Sequence, residues 1–580
     1  MQFTNKITNF YRYSLRNTNQ LFLIRRCSVQ KADVLPSNST SESFTKKLTK
    51  GPNFTYFLQN GQLKPSTAPI VSEEIVPYVQ NVPQQKRKVY FDIYGCQMNV
   101  NDVEIVWAIL QNNFERTLNI VDADVILIMT CAIRDSAEEK IWGRLRYYRG
   151  IKSTRKKDRP SLKVGILGCM AERLKEKVLE KESLVDLVAG PDSYRHLPRL
   201  LTLTDNNQKS VNVLLSLEET YADITPVRLN ENSISAFVSI MRGCDNMCTY
   251  CIVPFTRGRE RSRPISSIIC EIEHLSNQGV KEVTLLGQNV NSYRDTSIDN
   301  KIDNVTSLAT GFKTVYRPKK GGLRFADLLK EVAKVNPEMR IRFTSPHPKD
   351  FSDDVIDMIK SHHNICKNLH MPAQSGSSAV LERMRRGYTR EAYIDLIKHI
   401  RQFIPDVALS SDFICGFCGE TDEEFDETIS LMNEIKYNTA FLFPYSMREK
   451  TTAHRRFQDD IADEVKYSRL ERMIEVFRQT ALQLNQSQIG KTHLVLIEGY
   501  SKRSDKFFQG RNDNNIRVIL PVTPVPSKES ETLTELRAGD YVAVHVNDAN
   551  SQTLRAVPLY KTSLSDYYLR DQFSSVNKVC

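Results

Sequence analysis

Cysteine is scarce in this chain, with 12 among 580 residues. Small secreted domains held together by disulfides contain a much higher proportion, so that class is excluded and metal binding or catalysis is the better interpretation. Long apolar runs are also missing, since stretches such as 125–129 are far shorter than the roughly 20 residues of a membrane-spanning helix. We therefore expect no membrane partner, and the spacing of the few cysteines becomes the informative feature.

Acidic residues are missing from positions 1–32. Basic residues in this segment are interleaved with aromatic and aliphatic ones, a composition typical of mitochondrial transit peptides. The basic residues are Lys6, Arg12, Arg16, Arg25, Arg26 and Lys31. We predict that 1–32 directs the chain to the mitochondrial matrix, with a further pool in the cytosol. An acid-poor tail without a targeting role is the alternative.

The rest of the composition is that of a globular protein, with 40% hydrophobic and 26% charged residues. This balance excludes a chain that is disordered throughout, and the length predicts two to four domains. The formal net charge of +11 suits a polyanionic partner but does not establish one.

Order is predicted to begin near residue 88. Residues 33–87 are rich in Ser, Thr, Pro, Asn, Gln and Lys without periodicity, which predicts a disordered linker. Residues 88–205 alternate short apolar strands with helices, which predicts a compact parallel α/β domain. In this domain Cys96, Cys131 and Cys169 each follow a predicted strand. Because the carboxyl ends of parallel strands share one edge of a sheet, we predict that these three "edge cysteines" converge there.

Strands and helices alternate again over 230–460, a length sufficient for a full or partial α/β barrel. The predicted strands are 236–241, 283–286, 341–344, 368–371, 408–413 and 440–443. The polar stretch 294–322 breaks the alternation and is predicted to be an inserted surface loop. Alternating apolar residues in 487–562, broken by Gly and Asn, predict a small β-barrel. The predicted fold class is thus α/β with a C-terminal β-barrel.

Cys244, Cys248 and Cys251 lie within one short loop directly after a predicted strand, and we name them the "loop cysteines". Thiolates are soft ligands that suit zinc or iron–sulfur clusters. Structural zinc takes four closed ligands, and no fourth Cys or His lies at the distance usual in zinc fingers. The loop therefore favours a cluster with one iron open to a further ligand, which is a catalytic position.

The spacing of the loop cysteines resembles the cluster loop of the radical S-adenosylmethionine superfamily, and the surrounding residues are similar to those of the MiaB-type methylthiotransferases. The N-terminal cysteine motifs of that family are matched, in the same order, by Tyr94-Gly-Cys-Gln-Met-Asn99, Thr130-Cys-Ala-Ile-Arg134 and Gly168-Cys-Met-Ala171. Its later barrel motifs are matched by Gly287-Gln-Asn-Val-Asn291, His370-Met-Pro-Ala-Gln-Ser-Gly-Ser377 and Asp412-Phe-Ile-Cys-Gly-Phe-Cys-Gly-Glu-Thr421. The resemblance covers about 88–560 and includes a C-terminal barrel similar to the TRAM domain, an OB-like RNA-binding module.

This resemblance implies two 4Fe–4S clusters. The cluster on the loop cysteines would bind S-adenosylmethionine at its open iron and deliver one electron, which produces a 5′-deoxyadenosyl radical. The cluster on the edge cysteines would hold the sulfur that is transferred. A radical is needed because no side-chain base usefully deprotonates the C2–H bond of adenine near neutral pH.

The implied substrate is a tRNA whose isopentenyladenosine, at position 37 beside the anticodon, becomes its 2-methylthio derivative. The residues Gln97-Met98-Asn99 resemble the branch that modifies isopentenyladenosine. Its eukaryotic members are known as binding proteins of a cyclin-dependent kinase activator, and the insert 294–322 resembles theirs. The implied partners are the tRNA anticodon loop, an electron donor protein and, as a further candidate, a kinase activator.

Two other functions remain open. The first is a non-catalytic regulator that binds the kinase activator, although a scaffold has no need of two complete three-thiolate sets. The second is a methylthiotransferase that acts on threonylcarbamoyladenosine or on a ribosomal protein, which a tRNA modification profile would distinguish.

Basic residues in two regions are candidate contacts to RNA phosphates. They are Arg257, Arg259, Arg261 and Arg263 after the loop cysteines, and Lys502, Arg503, Lys506, Arg511 and Arg517 in the small barrel. We interpret His347 and His370 as structural, and the remaining cysteines, Cys415 and Cys418 among them, as thiols that bind no metal.

Overall fold

The computed structural model describes residues 86–132, 135–206, 208–297, 311–313, 320–527 and 530–568. The predicted transit peptide and nearly all of the predicted linker, 33–85, lie outside these residues. No helix in the described ranges is both long enough and apolar enough to cross a bilayer.

The first domain is a parallel sheet covered by helices on both faces, as predicted. Its described strands are β1 Arg87–Ile93, β2 Phe114–Arg116, β3 Val125–Thr130, β4 Lys163–Gly168, β5 Leu187–Ala189 and β6 Ser210–Asn212. Its described helices are α1 Gln97–Leu110, α2 Asp135–Thr154, α3 Cys169–Leu174, α4 Lys177–Lys181 and α5 Leu197–Asp205. The strand order is β2-β1-β3-β4-β5-β6, all parallel.

Strands β3 and β4 are buried along their whole length, because helices cover both faces of the sheet. Continuous apolar runs are typical of such central parallel strands. After β4 the chain forms two short helices, α3 and α4, instead of one continuous helix. Lys175 adopts a φ of +53° between them, which interrupts the helical hydrogen bonds.

The second domain is a partial α/β barrel. Its described strands are β7 Ser235–Ser239, β8 Met241–Arg242, β9 Arg261–Ser262, β10 Glu282–Leu286, β11 Arg294–Asp295, β12 Leu323–Arg324, β13 Arg340–Phe343, β14 Asn368–His370, β15 Ala408–Cys415 and β16 Thr439–Pro444. Its described helices are α6 Val253–Thr256, α7 Ile265–Asn277, α8 Phe325–Val335, α9 Asp353–Ser361, α10 Ser378–Arg383, α11 Arg390–Phe403, α12 Asp422–Ile435, α13 Thr452–Arg456 and α14 Asp463–Gln486.

The six main strands of this domain follow one another in chain order. Strands β7, β10 and β13 pair in parallel, as do β14, β15 and β16, and a parallel bridge from Ile341 to Ile365 connects the two groups. The predicted insert leaves and re-enters the barrel through the antiparallel pair of β11 and β12. The sequence left open whether the barrel is full or partial, and the structure shows a partial barrel.

The third domain is the predicted small β-barrel. Its described strands are β17 Thr492–Ser501, β18 Ser504–Asn512, β19 Arg517–Pro521, β20 Val525–Ser527, β21 Ser530–Thr534, β22 Tyr541–Ala549 and β23 Thr553–Thr562. Pairing of β19 with β23 closes the sheet into a barrel. Two buried arginines of β13 hold the barrel in place. Arg340 donates to the carbonyls of Leu494 and Arg511, and Arg342 donates to those of Asn512 and Asp513.

Candidate active site

The edge cysteines occupy the carboxyl ends of three adjacent strands, as the sequence predicts. Cys96 follows β1, Cys131 follows β3 and Cys169 follows β4, and these strands are neighbours in the sheet. Cys131 and Cys169 are buried, whereas Cys96 is exposed. A Cβ atom on Gly95, beside Cys96, would lie only 2.6 Å from the Cβ of Cys131. Glycine is therefore required for the close approach of the first two motifs.

A buried arginine from the second domain completes this site. Arg257 donates from Nε to the Sγ of Cys169 at 3.2 Å and from Nη2 to the Oδ1 of Asn99 at 3.2 Å. The same Nη2 lies 2.7 Å from Asp102 Oδ2. Burial raises the pKa of the Cys169 thiol to about 11, and the charge of Arg257 acts in the opposite direction. The sequence did not predict this role of Arg257, and the polar residues Asn99 and Asp102 shortly after Cys96 were the available signal.

The loop cysteines lie in the loop between β8 and α6. Gly243 precedes Cys244 with a φ of +78°, and a Cβ there would lie 2.0 Å from the carbonyl oxygen of Arg259. The amide of Gly243 donates to Gln288 Oε1 at 2.6 Å. Gln288 belongs to the motif that follows β10, so this motif shapes the cysteine loop. Only glycine fits position 243.

A second buried arginine stands beside the loop cysteines. Arg386 Nη1 lies 3.5 Å from Cys248 Sγ, and its other nitrogens donate to Tyr388 Oη and the carbonyl of Pro372. Burial, then the Cys248 thiol, raises the pKa of Cys251 to about 12, while Arg386 opposes the rise. Such thiols hold their protons until a metal displaces them, so binding of iron would release protons.

A small apolar cluster at the junction of the first and second domains joins the surroundings of the two cysteine sets. Cys169 and Ala132 from the first domain pack against Ile252, the residue after Cys251, with Phe255 beside them. Asp102 is fully buried and lies 2.8 Å from Arg242, which directly precedes Gly243 in the cysteine loop. The Asp102 carboxylate thus contacts both Arg257, beside the edge cysteines, and Arg242, beside the loop cysteines.

The donor chemistry fits two iron–sulfur clusters. Among the described residues, no three His, Cys, Asp or Glu side chains lie close enough to share a single metal ion. In a cluster each thiolate binds a different iron, so three thiols need not converge on one ion. Two sets of three thiols, each with an adjacent guanidinium to balance the anionic charge, suit such clusters.

The barrel also presents a half-exposed polar face opposite its helices. In β15, Leu409, Ser411 and Phe413 are buried toward the helices, so Ser410 and Asp412 point to the other face. His370 lies there with Nδ1 3.0 Å from Ser410 Oγ and Nε2 3.3 Å from Asp412 Oδ2. The ring of Phe441, 45% exposed, packs edge-on against His370. This pairing with an exposed aromatic ring was not expected for a histidine interpreted as structural.

His347 fits its structural interpretation. Its backbone amide donates to the side chains of Asn289 and Asn291, and its Nδ1 accepts from the amide of Lys349. Burial lowers the pKa of His347 well below its usual value, with Arg386 contributing in the same direction, so the ring is neutral.

The prediction that the arginines after the cysteine loop contact RNA phosphates was wrong for three of the four. Arg257, Arg261 and Arg263 are buried, because each is paired with an internal carboxylate: Asp102, Asp192 and Glu271. Arg259 alone is exposed.

The basic residues of the small barrel do face solvent. Lys502, Arg503, Lys506 and Arg517 are exposed, whereas Arg511 is paired with Glu498 at 3.0 Å. A groove of about 1040 Å³ runs over this surface. Its lining includes Lys502, Arg503, Phe507, Arg511, Arg517 and Arg555. The contact of these residues with RNA stays a prediction.

Comparison with known proteins identifies three family regions. Residues 238–432 match the radical SAM superfamily, 88–190 match the uncharacterized protein family UPF0004, and 486–559 match the TRAM domain. A radical SAM methyltransferase from Kitasatospora setae, solved with cobalamin and a [4Fe–4S] cluster, is 12% identical with a TM-score of 0.44, over 62% of this chain and 75% of that one.

Three relatives cover most of the chain. The mitochondrial tRNA methylthiotransferase CDK5RAP1 of Rattus norvegicus is 54% identical over 91% of this chain and 92% of its own length. The protein of that name from Homo sapiens is 53% identical over 90% of each chain. The tRNA-2-methylthio-N(6)-dimethylallyladenosine synthase of Chloroherpeton thalassium is 47% identical over 81% of this chain and 96% of its own. With both cysteine sets in place at the domain junction, this chain belongs to the radical SAM family of tRNA methylthiotransferases.

Proposed function

We propose that this chain transfers a methylthio group to C2 of N6-isopentenyladenosine at position 37 of tRNA. The observation that carries the proposal is that two three-thiol sets border the same domain junction, where Cys169 packs against the residue that follows Cys251. Relatives named for this activity span nearly all of the chain.

When bound, the two clusters and S-adenosylmethionine supply the radical chemistry and the sulfur that no side chain can provide. The chain's own residues hold and shield these groups. The edge cysteines and the loop cysteines provide the thiolates, and Arg257 and Arg386 place positive charge beside them. Burial of Cys131, Cys169 and Cys248 limits the access of water to both sets. Exclusion of water protects a reactive radical from side reactions.

The half-exposed barrel face is proposed to receive the adenine base. Phe441 offers a ring on which a base can stack, and His370 and Asp412 offer hydrogen-bonding groups beside it. The groove on the small barrel, with its exposed basic residues, is proposed to hold the RNA backbone. Both surfaces suit a single-stranded loop whose base is turned outward.

Mitochondrial location is proposed from the composition of 1–32 together with the printed names of the relatives from Rattus norvegicus and Homo sapiens. An electron donor protein is required by the one-electron step. A kinase activator remains a proposed partner. The alternative of a purely regulatory scaffold is disfavoured, because two arginines are buried beside the cysteine sets where a scaffold needs none.

The test compares Cys244→Ala with Cys131→Ala in nucleosides from mitochondrial and cytosolic tRNA, analysed by mass spectrometry. Both variants should lose 2-methylthio-isopentenyladenosine and accumulate its isopentenyl precursor. Purified Cys244→Ala should not cleave S-adenosylmethionine, whereas Cys131→Ala should cleave some of it without thiolation. Cys270→Ala, an exposed thiol outside both sets, is the control. Full cleavage in both variants, or unchanged nucleosides, would contradict the proposal.

A further inference from the structure

Arg257 has a feature that its contacts within the protein do not explain. The side chain is 3% exposed, with Nε on Cys169 and Nη2 shared between Asn99 and Asp102. Its remaining nitrogen, Nη1, is buried without a hydrogen-bond partner among the described residues. A buried donor of a charged group that lacks an acceptor is energetically unfavourable. An acceptor is therefore expected at this position in the working protein.

The surroundings determine which acceptor fits. Arg257 lies beside the edge cysteines, since it donates to Cys169 and to Asn99, three residues after Cys96. A cluster on three thiolates is anionic and carries sulfide atoms, which accept hydrogen bonds. The proposal below rests on the proposed function, because it assumes that the edge cysteines bind such a cluster.

We propose that Arg257, supplied by the radical SAM domain, is a positioning residue of the edge-cysteine cluster: it donates one hydrogen bond to Cys169 and one to the bound cluster, and it raises the reduction potential of that cluster. Reduction adds negative charge, which a neighbouring guanidinium and its N–H donors stabilise. The N-terminal domain supplies the three ligands but not this cation. The cluster therefore acquires its working potential only when the two domains are docked.

Asp102 fixes the position of the Arg257 side chain. Asp102 receives Arg257 on Oδ2 and Arg242 on Oδ1, at 2.7 and 2.8 Å, and is fully buried. A planar guanidinium that contacts a carboxylate through Nη2 and a thiol through Nε has little freedom to turn, so the direction of Nη1 is fixed. Lysine could preserve the charge but could not bridge the carboxylate, the thiolate and a further acceptor at once.

The experiment isolates the cluster in question. In the parent protein, the full-length chain has all three loop cysteines replaced by alanine, so that of the two cysteine sets only the edge cysteines remain. This protein is reconstituted with iron and sulfide in the absence of oxygen. Iron content, the electron paramagnetic resonance spectrum of the reduced sample and the midpoint potential are measured for this parent and for Arg257→Lys and Arg257→Met. Arg263→Met is the matched control, because Arg263 is an equally buried arginine of the same segment that pairs with Glu271.

We expect Arg257→Lys to bind one cluster per chain with a shifted spectrum and a more negative midpoint potential than the parent. Arg257→Met should show a larger negative shift or lose iron, while Arg263→Met keeps the parent values. Parent-like potentials and spectra in both Arg257 variants, or equal iron loss in Arg257→Met and Arg263→Met, overturn the inference alone. A folded parent that binds no iron on the edge cysteines overturns the proposed function, and this inference with it.

Discussion

Replacing Asp102 with asparagine should destabilise the junction between the first two domains more than the removal of any surface ion pair would. Asp102 is fully buried and balances two buried guanidinium groups, Arg242 and Arg257. Burial alone would raise its pKa, but the two arginines lower it, so the carboxylate is charged in the folded protein. Asparagine has nearly the same shape but leaves Arg257 without its carboxylate partner and leaves Arg242 with only Glu219, at 3.9 Å.

The magnitude follows from these contacts. Each close pair is worth about 4 kcal/mol at an effective dielectric constant of about 20. Part of the loss is offset because the variant no longer buries a carboxylate, which itself costs several kcal/mol. Breaking a buried pair of this kind costs about 3–5 kcal/mol net. At roughly 2–4 °C per kcal/mol, the first thermal transition should fall by at least about 6 °C.

The assay is differential scanning fluorimetry of the protein without iron, so that cluster loss does not contribute. Asp426→Asn is the matched control, because Asp426 forms an exposed pair with Arg472 that should be worth about 0–1 kcal/mol. Adding Arg242→Met to Asp102→Asn should recover part of the loss, because it removes one of the two buried guanidinium charges that Asp102 balances. A fall no larger than that of Asp426→Asn would refute the reasoning.

Three further predictions concern other parts of the chain. Gly243→Ala should abolish cluster binding by the loop cysteines and cleavage of S-adenosylmethionine, since its Cβ would collide with a backbone carbonyl; iron analysis should show that the edge cysteines still bind. Burial raises the pKa of Glu104 to about 7, above the 4.5 of an exposed glutamate. Its contribution to stability should therefore be complete below about pH 4.5 and lost as pH rises through 7, whereas Glu104→Gln should remove this dependence in urea unfolding. Arg503→Glu with Arg517→Glu should weaken tRNA binding in a filter assay and reduce its salt dependence.

Each of these three predictions has a control variant or an outcome that would contradict it. Gly279→Ala has a similar positive φ but open space around it, so it should keep the iron of the loop cysteines; equal loss in both variants would point to general strain. For Glu104, identical pH profiles of the wild type and the variant would contradict the assignment. For the groove, Arg472→Glu on an exposed helix should leave tRNA affinity unchanged, and an equal effect would mean that net charge alone matters.

Much of the site was predictable because its signals are local. Each edge cysteine directly follows an apolar run, and the parallel arrangement of such runs brings strand ends together without knowledge of any side-chain contact. The loop cysteines fall within eight residues, so their proximity is a property of the chain itself. Strands β10, β13 and β15 were likewise recognised from short buried runs.

The arginines were wrongly predicted to lie on the surface, because a sequence shows that a residue is charged but not whether it is buried. Four arginines at alternate positions resemble a basic surface, yet Arg257, Arg261 and Arg263 are neutralised by Asp102, Asp192 and Glu271. Two of these partners belong to the first domain, more than 60 residues earlier in the sequence. Periodicity and spacing report on neighbours within a few turns, so they cannot pair such residues.

The sequence by itself determined the kind of chemistry: six thiols in two sets, the order of the domains, and the strands that carry them. The tertiary structure alone decided how the sets meet. It packed Cys169 against the cysteine loop, placed Arg257 and Arg386 beside thiols, and buried Asp102 between two arginines. The reason is physical: ligand type is a property of individual residues, whereas electrostatic balance arises only where distant segments exclude water together.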